Sequence, residues 1–417
     1  MGNPVRRAMM AFVVGCAFTP SLAAQERFSV PVPPAPPADV ATPAEAWVRF
    51  DANGLTASGT VGVVNRAYPR AVTIEDRPRI ASISKLVVAL GVMRLVEQNK
   101  LDLQRDVSDY LGWKLRNPTY PDDKITLAML LSHTSSLRDN GEGYLIPLGE
   151  SVEARLADPK MWDAAHGPKT GYFEYGNINF PVVGSIMEKV TGERFDKAMD
   201  RLVMQPLKLR ACYNMGGGCT DRDAERVVTL YRPNGDVARD DLGGKLPACP
   251  VFLKEGASDC DLTRYTLGSN GALFSPQGGL RISPKELAAI AQMLARRGIA
   301  ADGSRFLTAR SVAAMERPRW RYNGRNGTTD SGYFCTFGLA VHILGANRNS
   351  QCRDRLPGQT SVLYGHSGEA YSLRSGVWYD PKTQSGMAYY TTATADGTPE
   401  TGPTAFSASA QRMWEKR

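Results

Sequence analysis

The sequence lacks the motifs that would assign it to several large classes of protein. None of its seven cysteines forms a Cys-x-x-Cys pair, and their other spacings do not fit a zinc site. Lysine and arginine do not cluster with interleaved aromatic residues, so nothing indicates nucleic-acid binding. The Gly-x-Ser-x-Gly elbow, which carries the nucleophilic serine of many enzymes, is also missing. A zinc protein, a nucleic-acid-binding protein and an enzyme of the elbow type are therefore not predicted.

Long apolar segments are scarce outside the N-terminus. Arg6 and Arg7 precede an almost wholly apolar stretch at 8–18, and small residues up to Ala24 follow. This order predicts a secretory signal peptide over 1–24, cleaved after Ala24 and too short to span a membrane. Its removal lowers the formal net charge from +8 to +6, which is a mildly basic balance.

A lipid anchor is the alternative at this end of the chain. Residues 13–16, Val-Val-Gly-Cys, resemble a bacterial lipoprotein cleavage box, in which Cys16 would become the lipidated N-terminus. No later apolar run, including the one at 86–93, is long enough to cross a bilayer. We therefore expect an exported protein, periplasmic or secreted, with no membrane span and at most a tether at Cys16.

The cysteines that follow the signal peptide predict disulfide bonds. Six remain after Ala24, and an even number in an exported chain favours a disulfide framework. Several connectivities are open, and we prefer pairing between neighbours along the chain. The preferred pairs are Cys212 with Cys219, Cys249 with Cys260, and Cys335 with Cys352, each of which closes a loop rich in Gly, Asp or Asn.

The mature chain divides into a linker and one large domain. Five prolines between residues 31 and 37 predict a polyproline-type linker over 25–43, and the domain is expected over 44–417. Strands near both ends with helices between them favour an α+β fold, an antiparallel β-sheet flanked by helices with an inserted helical lobe. The sheet lobe would comprise about 44–85 and 270–417, and the helical lobe about 86–269.

Local patterns predict the individual elements. Strands are predicted at 59–64, 71–74, 337–344, 361–364, 372–379 and 386–392, with a turn at 380–383 between the last two. Helices are predicted from near 82, and at 106–111, 125–131, 184–190, 284–296 and about 405–415. Ser283 and Glu286 have the spacing of a capping box at the start of the fifth of these helices.

The domain is organised around a Ser-x-x-Lys pattern. Apolar residues at helical spacing from residue 86 onward predict a buried helix that begins near Ser82. Lys85 follows three residues later on the same face, so its amine would lie next to the Ser82 hydroxyl. Burial would lower the pKa of Lys85 and leave a neutral amine that can take the hydroxyl proton near pH 7. The alternative is that Ser82 only caps the helix and Lys85 is a solvated charge.

Two later tripeptides favour the catalytic interpretation. Tyr-Gly-Asn at 175–177 and His-Ser-Gly at 366–368 follow Ser82, and the set resembles that of class C serine β-lactamases, D-alanyl-D-alanine carboxypeptidases and related esterases and D-aminopeptidases. The resemblance extends from about residue 59 to about residue 392. Further segments that resemble this family are 99–103, 130–135, 188–192 and 205–207.

The resemblance implies the catalytic roles. Ser82 would be the acylated nucleophile, Lys85 its proton partner, and Tyr175 the phenol that passes the proton to the leaving group. No metal or cofactor is implied. A triad centred on His366 is the mechanistic rival, although no aspartate is singled out to orient it. His133, which follows a predicted helix, is expected to serve the structure.

The resemblance also implies the substrate-binding residues. Asn177 would bind the acyl amide of the substrate, and His366, Ser367 and Gly368 would line the sheet edge opposite. The backbone N–H of Glu369, together with that of the nucleophilic serine, would form the oxyanion hole.

Two departures from the family pattern bear on the substrate. His366 stands where β-lactamases of this class have a lysine, and Glu369 stands where the family has a small residue. A neutral imidazole and a nearby carboxylate would bind a substrate carboxylate poorly. The alternative is that Glu369 faces solvent and another cation, such as Arg374 on the next strand, supplies the positive charge.

The sequence thus predicts an exported serine hydrolase that cleaves an ester or amide through an acyl-enzyme. The expected partner is a small-molecule or peptide substrate, with peptidoglycan-derived peptides among the candidates. The alternatives are a β-lactamase proper, or a penicillin-recognising or peptidoglycan-binding protein with little turnover.

Overall fold

An antiparallel sheet organises the part of the chain that the structure describes. The computed structural model describes residues 43–66, 70–213, 226–232, 236–237 and 261–417. Within them, eight strands pair in the order β2-β1-β8-β7-β6-β5-β4-β3. The strands are β1 Glu45–Asp51, β2 Gly54–Val61, β3 Trp320–Arg321, β4 Thr336–Phe337, β5 His342–Leu344, β6 Leu363–Ala370, β7 Leu373–Asp380 and β8 Ser385–Thr391.

Helices flank this sheet, so the predicted α+β class is confirmed. The helices are α1 Ile83–Glu97, α2 Ser108–Leu111, α3 Leu127–Leu131, α4 Val152–Leu156, α5 Asn179–Thr191, α6 Phe195–Met199, α7 Pro284–Ala295, α8 Ala309–Glu316 and α9 Ala408–Trp414. The helices α7 and α9 both pack against the sheet, and eight of the nine helices among the described residues, α1 to α8, lie between β2 and β3 in the chain. The predicted lobe boundaries stay a prediction.

Pairing between β1 and β8 joins the two ends of the domain in one open sheet. β1 lies between β2 and β8, with Glu45 opposite Thr391. The sequence prediction missed β1, whose first four residues are all buried. Apolar and polar residues alternate along a strand only when one of its faces is solvated. Because both faces of β1 are largely buried, its sequence does not show this alternation.

Helix α1 is buried on nearly every side. Twelve of its fifteen residues are buried, from Ile83 through Met93 together with Leu95. A helix that is apolar all round belongs in the interior of a protein, which fits its contacts with β6, β7, α6 and α8. The prediction of a buried helix that begins near Ser82 is confirmed, and α1 places that serine at the base of the sheet.

Four strand predictions were wrong in detail. The predicted strand at 59–64 lies at 54–61, and the one at 361–364 lies at 363–370. Residues 71–74 form only an isolated bridge, between Ala71 and Val63. The Asp76 carboxylate accepts hydrogen bonds from Arg70 and from the backbone N–H of Thr73, which draws this segment into a turn. The run at 337–344 is divided into β4 and β5 because Ala340 has a φ of 52° and the chain reverses there.

One predicted disulfide is confirmed. Cys335 and Cys352 are bonded, with their Cα atoms 5.8 Å apart. Cys212 is also disulfide-bonded, but the other three cysteines, like the predicted signal peptide and nearly all of the linker, lie outside the described residues. None of the helices in the described ranges has the length and apolar composition needed to cross a membrane.

Helix α7 begins with the predicted capping box. The Ser283 hydroxyl accepts from the backbone N–H of Glu286, and the Glu286 carboxylate accepts from the backbone N–H of Ser283 at 3.1 Å. We expect Ser283→Ala to lower the free energy of unfolding by about 1 kcal/mol, since a capping acceptor is lost. Urea denaturation measures this change, with Ser350→Ala as an exposed serine control. Equal denaturation midpoints for the two variants would contradict the assignment of the cap.

Candidate active site

The Ser82 hydroxyl is engaged by Lys85 and not by the helix it precedes. Ser82 occupies the N-cap position of α1, yet its side chain makes no capping hydrogen bond. Lys85 Nζ instead donates to Ser82 Oγ at 2.9 Å, and Lys85 is 0% exposed. The alternative of a capping serine beside a solvated lysine is therefore wrong.

Three chain segments meet at the Lys85 amine. It donates to Ser82 Oγ, to Asn177 Oδ1 at 2.8 Å and to the Gln277 carbonyl at 2.7 Å. Burial lowers the pKa of Lys85 to about 7, and the negative charge of Asp139 opposes part of that shift. A neutral amine can keep two of these donor contacts and use its lone pair to accept the Ser82 proton. The geometry therefore suits a lysine that moves a proton to and from the serine.

Tyr175 lies on the other side of the serine. Its ring centroid is 5.1 Å from Lys85 Nζ, and its phenol interacts with the Ser82 hydroxyl. Burial raises the pKa of the Tyr175 phenol, more than the contact with Ser82 lowers it, so the group is protonated at neutral pH. A protonated phenol beside the nucleophile can donate a proton to a leaving group.

His133 holds the loop that carries Tyr175. The two rings stack with centroids 4.3 Å apart, His133 Nδ1 accepts from the Gly176 N–H at 3.2 Å, and the His133 carbonyl accepts from the Glu174 N–H. Burial lowers the pKa of His133 well below its usual value, so the imidazole is neutral and can act as the acceptor. The structural role expected for His133 matches these contacts.

Asp139 is a site residue that the sequence prediction missed. Its carboxylate accepts from Asn177 Nδ2 at 2.9 Å and from the Ile178 N–H at 2.8 Å. These contacts fix the amide of Asn177 so that its oxygen faces Lys85. Asp139 lies in a loop, with no spacing relation to the three motifs, so only the folded chain brings it to the lysine.

His366 is buried beneath the pocket and does not line it. It is 1% exposed, its Nδ1 donates to the Ser367 carbonyl at 2.6 Å, and its ring centroid lies 6.2 Å from that of Tyr175. Burial, with a contribution from the Lys85 charge, lowers its pKa to about 3. The prediction of a neutral imidazole agrees with this environment, but the predicted direct contact with substrate does not match the position of the ring.

Gly368 allows β6 to approach the nucleophile. A Cβ at this position would lie 2.2 Å from the Ile80 carbonyl oxygen and 2.4 Å from Ser375 Oγ, so no larger residue fits. The close contact brings the edge of β6 against the turn before Ser82. Among the described residues, no acceptor pairs with the backbone N–H of Ser82, which leaves it available to a substrate oxygen.

A pocket of about 260 Å³ opens beside Ser82. Six of the eight predicted site residues line this pocket: Ser82, Tyr175, Asn177, Ser367, Gly368 and Glu369. The other two, Lys85 and His366, are buried and do not line it, although Lys85 contacts Ser82.

The charge of Glu369 is compensated within this pocket. Arg374, opposite Glu369 in the register of β6 and β7, donates to its carboxylate at 2.9 Å. The Glu369 side chain is 61% exposed and that of Arg374 only 12%. Arg374 also donates to the Asp396 and Leu373 carbonyls. The exposure of Glu369 matches the alternative in which this side chain faces solvent, and Arg374 does lie at the pocket, but the two are paired with each other. Which of the two interpretations holds for a substrate carboxylate stays a prediction.

Comparisons with known proteins identify similar families and relatives. A protein-family model described as Beta-lactamase matches residues 41–411. Penicillin-binding protein 4 of Amycolatopsis lactamdurans is 26% identical over 61% of this chain and 60% of its own length. Esterase EstB of Burkholderia gladioli is 29% identical over 45% of this chain and 50% of its own length. The chain thus spans only one half to three fifths of the length of these relatives.

The fold is similar to that of a solved structure. The octameric penicillin-binding protein homologue from Pyrococcus abyssi superposes with a TM-score of 0.61 at 19% identity, covering 88% of this chain and 72% of that one. At this level of identity the likeness concerns the fold alone.

The environment of Lys85 leads to a test that needs no substrate. We expect Asp139→Asn to lower the pKa of Lys85 below its wild-type value, because the variant removes the negative charge that favours the ammonium form. The asparagine keeps one oxygen that can accept a hydrogen bond from the Asn177 loop. NMR titration of isotopically labelled lysine side chains measures the shift, with the exposed Asp122→Asn as control. An unchanged titration of Lys85 would show that Asp139 does not influence the amine.

Proposed function

The chain belongs to the beta-lactamase family, and from this premise we propose that it is an exported serine hydrolase that cleaves an ester or amide through an acyl-enzyme on Ser82. The observation that carries the proposal is the hydrogen bond of 2.9 Å between a fully buried Lys85 amine and the Ser82 hydroxyl. A buried amine whose pKa is lowered to about 7 is a base that works near neutral pH.

The acylation step follows from the positions of three side chains. Neutral Lys85 takes the proton of Ser82 Oγ as the oxygen attacks the substrate carbonyl. The Tyr175 phenol gives its proton to the departing oxygen or nitrogen and recovers one from the lysine ammonium. The backbone N–H groups of Ser82 and Glu369 bind the oxyanion. A water molecule then attacks the acyl carbonyl and gives one proton to Lys85. That proton passes to Ser82 Oγ as the bond to the acyl group breaks, the acyl group leaves as a carboxylic acid, and the enzyme is regenerated.

Charge in the pocket favours a substrate without a carboxylate beside the scissile bond. Arg374 is the only cationic side chain among the described residues that line the pocket, and it is held by Glu369 and two backbone carbonyls. An ester or amide with a neutral group beside the scissile bond does not need a free cation in the pocket. A carboxylate, as in β-lactams and D-alanyl peptides, would have to displace Glu369 from Arg374.

A penicillin-recognising protein with little turnover is the second candidate. The similarity to a penicillin-binding protein favours it. In that case the acyl-enzyme would form and persist, so the intact mass after exposure to penicillin would stay raised over time.

Export is part of the same proposal. The apolar stretch after Arg6 and Arg7 supports a signal peptide, and the Cys335–Cys352 disulfide suits an oxidising compartment. Peptidoglycan-derived peptides are accessible substrates in that compartment, and a lipid on Cys16 would tether the protein there.

The nucleophile can be tested by covalent labelling. We expect a fluorophosphonate to add one adduct to the wild-type protein and none to Ser82→Ala, with a wild-type rate that rises with pH through about 7 as Lys85 loses its proton. Ser84→Ala is the matched control, because the Ser84 hydroxyl is buried and bonded to Ala81 and Leu280. Intact-protein mass spectrometry gives the result. Undiminished labelling of Ser82→Ala would place the nucleophile elsewhere.

The substrate preference can be tested by kinetics. We expect a higher kcat/KM for a short-chain nitrophenyl ester than for a chromogenic cephalosporin at pH 7. Glu369→Gln should raise the cephalosporin value roughly fivefold, about 1 kcal/mol, because it frees Arg374 for the cephalosporin carboxylate. The exposed Glu153→Gln on α4 serves as the control. A cephalosporin that is the better substrate, with no gain in Glu369→Gln, would refute the preference.

A further inference from the structure

A row of aromatic rings leads away from the nucleophile along one wall of the pocket. Tyr175 stacks on Phe334 with ring centroids 4.7 Å apart, Phe334 contacts Tyr333 at 5.0 Å, and Tyr333 contacts Phe406 at 5.0 Å. All four residues line the pocket, together with Ala405 and Ala410 at the end nearest α9. We name these four rings the aromatic wall.

The aromatic wall is fixed before a substrate arrives. Tyr333 Oη donates to Ser367 Oγ at 2.5 Å, which ties the wall to β6. Arg353 connects the chain next to Tyr333 with the chain next to Phe406. Its backbone N–H donates to the Gly332 carbonyl and its backbone carbonyl accepts from the Ala405 N–H, both at 2.8 Å. The Cys335–Cys352 disulfide joins the segment after Phe334 covalently to the segment that carries Arg353. A rigid apolar surface loses little conformational entropy when it binds a ligand.

We propose that the aromatic wall binds an apolar, ring-containing leaving group, so that the preferred substrates are esters or amides of aromatic or other bulky apolar alcohols and amines. This inference rests on the proposed function, which puts the Tyr175 phenol at the departing atom. Because the wall begins at Tyr175, it continues along the leaving group and not along the acyl chain. Aromatic rings pack edge to face or offset against such a group, and its burial adds affinity in proportion to its apolar area.

The titratable residues at the pocket are compatible with a neutral leaving group. Glu369 is paired with Arg374, so an uncharged ring passes them without breaking an ionic contact. Asp330 also lines the pocket, and burial raises the pKa of its carboxyl, so this residue offers no positive charge to a substrate carboxylate. A small leaving group such as ethanol would not reach Phe406, the third ring beyond the serine's neighbour Tyr175. The aromatic wall therefore favours substrates whose leaving group is large and apolar over those whose leaving group is small.

The experiment compares leaving groups at a constant acyl group. We expect Phe406→Ala to lower kcat/KM for 2-naphthyl acetate about tenfold and to change the value for ethyl acetate less than about twofold, since only the larger group reaches the altered position. The ratio of variant to wild-type kcat/KM is taken on the same ester, so the different intrinsic reactivities of the two leaving groups cancel. Phe306→Ala is the matched control, because Phe306 is similarly buried, at 4% against 2% exposure, but packs beneath Arg94 and does not line the pocket.

Three results would overturn the inference. Equal losses on both esters in Phe406→Ala, or no loss on either, would show that the wall does not bind the leaving group. Selective losses that follow acyl length in a series of phenyl esters would assign the wall to the acyl group instead. Phe406→Leu provides the same comparison with a smaller cavity if the alanine variant does not fold.

Fluorophosphonate labelling separates this inference from the proposed function. If Ser82 is labelled in the wild type and in Phe406→Ala while the leaving-group preference is unchanged, only the role of the wall is refuted. If wild-type Ser82 is not labelled, the acyl-enzyme proposal fails and the inference fails with it.

Discussion

The burial of the Lys85 amine is the constraint on which the site depends. A charged group without partners in a protein interior is strongly unfavourable, so its hydrogen-bond acceptors have to be supplied by the fold. They come from the start of α1, from the loop that carries Asn177, and from the carbonyl of Gln277 before α7. Each segment supplies one hydrogen-bond acceptor to the amine, and the acceptors at 177 and 277 are distant from Lys85 in the chain. Burial lowers the pKa of the amine to about 7, and the charge of Asp139 opposes only part of that shift.

A second set of contacts holds the loop at 174–178 in register with the amine. His133 accepts from Gly176 and stacks on Tyr175, while Asp139 accepts from Asn177 and Ile178. Both supporting residues lie in the chain that follows α3, so one short segment positions the phenol and the amide together. Asp139 also acts through charge, because it opposes the effect of burial on Lys85. Geometry and proton affinity in this site are therefore coupled through one carboxylate.

The sequence was informative where a local rule applied. Three-residue spacing on a helix placed Lys85 beside Ser82, capping-box spacing marked the start of α7, and the neighbouring positions of Cys335 and Cys352 indicated their bond. The rules failed where packing or register decided the outcome. β1 is buried on both faces and loses its alternation, and the pairing of Glu369 depends on a strand register that no short pattern encodes.

Local spacing rules could not predict contacts between segments that are distant in the chain. Asp139 reaches the site through a loop, and His366 is covered because its side chain points toward α1, whereas Ser367 points into the pocket. The aromatic wall likewise combines the loop at 175, the segment at 333–334 and Phe406, two residues before α9. Each of these features depends on contacts that only the folded chain provides.

Pairing between the two ends of the domain therefore matters to the chemistry. β8 pairs with β1 on one side and β7 on the other, and β7 in turn fixes β6, whose edge contacts the turn before Ser82 through Gly368. Glu45 anchors the junction: burial alone would raise its pKa, but hydrogen bonds from Arg412 and Thr391 outweigh that effect and keep the pKa below its usual value. The same C-terminal segment supplies Phe406 to the pocket. The chain ends thus stabilise the sheet and shape the substrate site through one set of contacts.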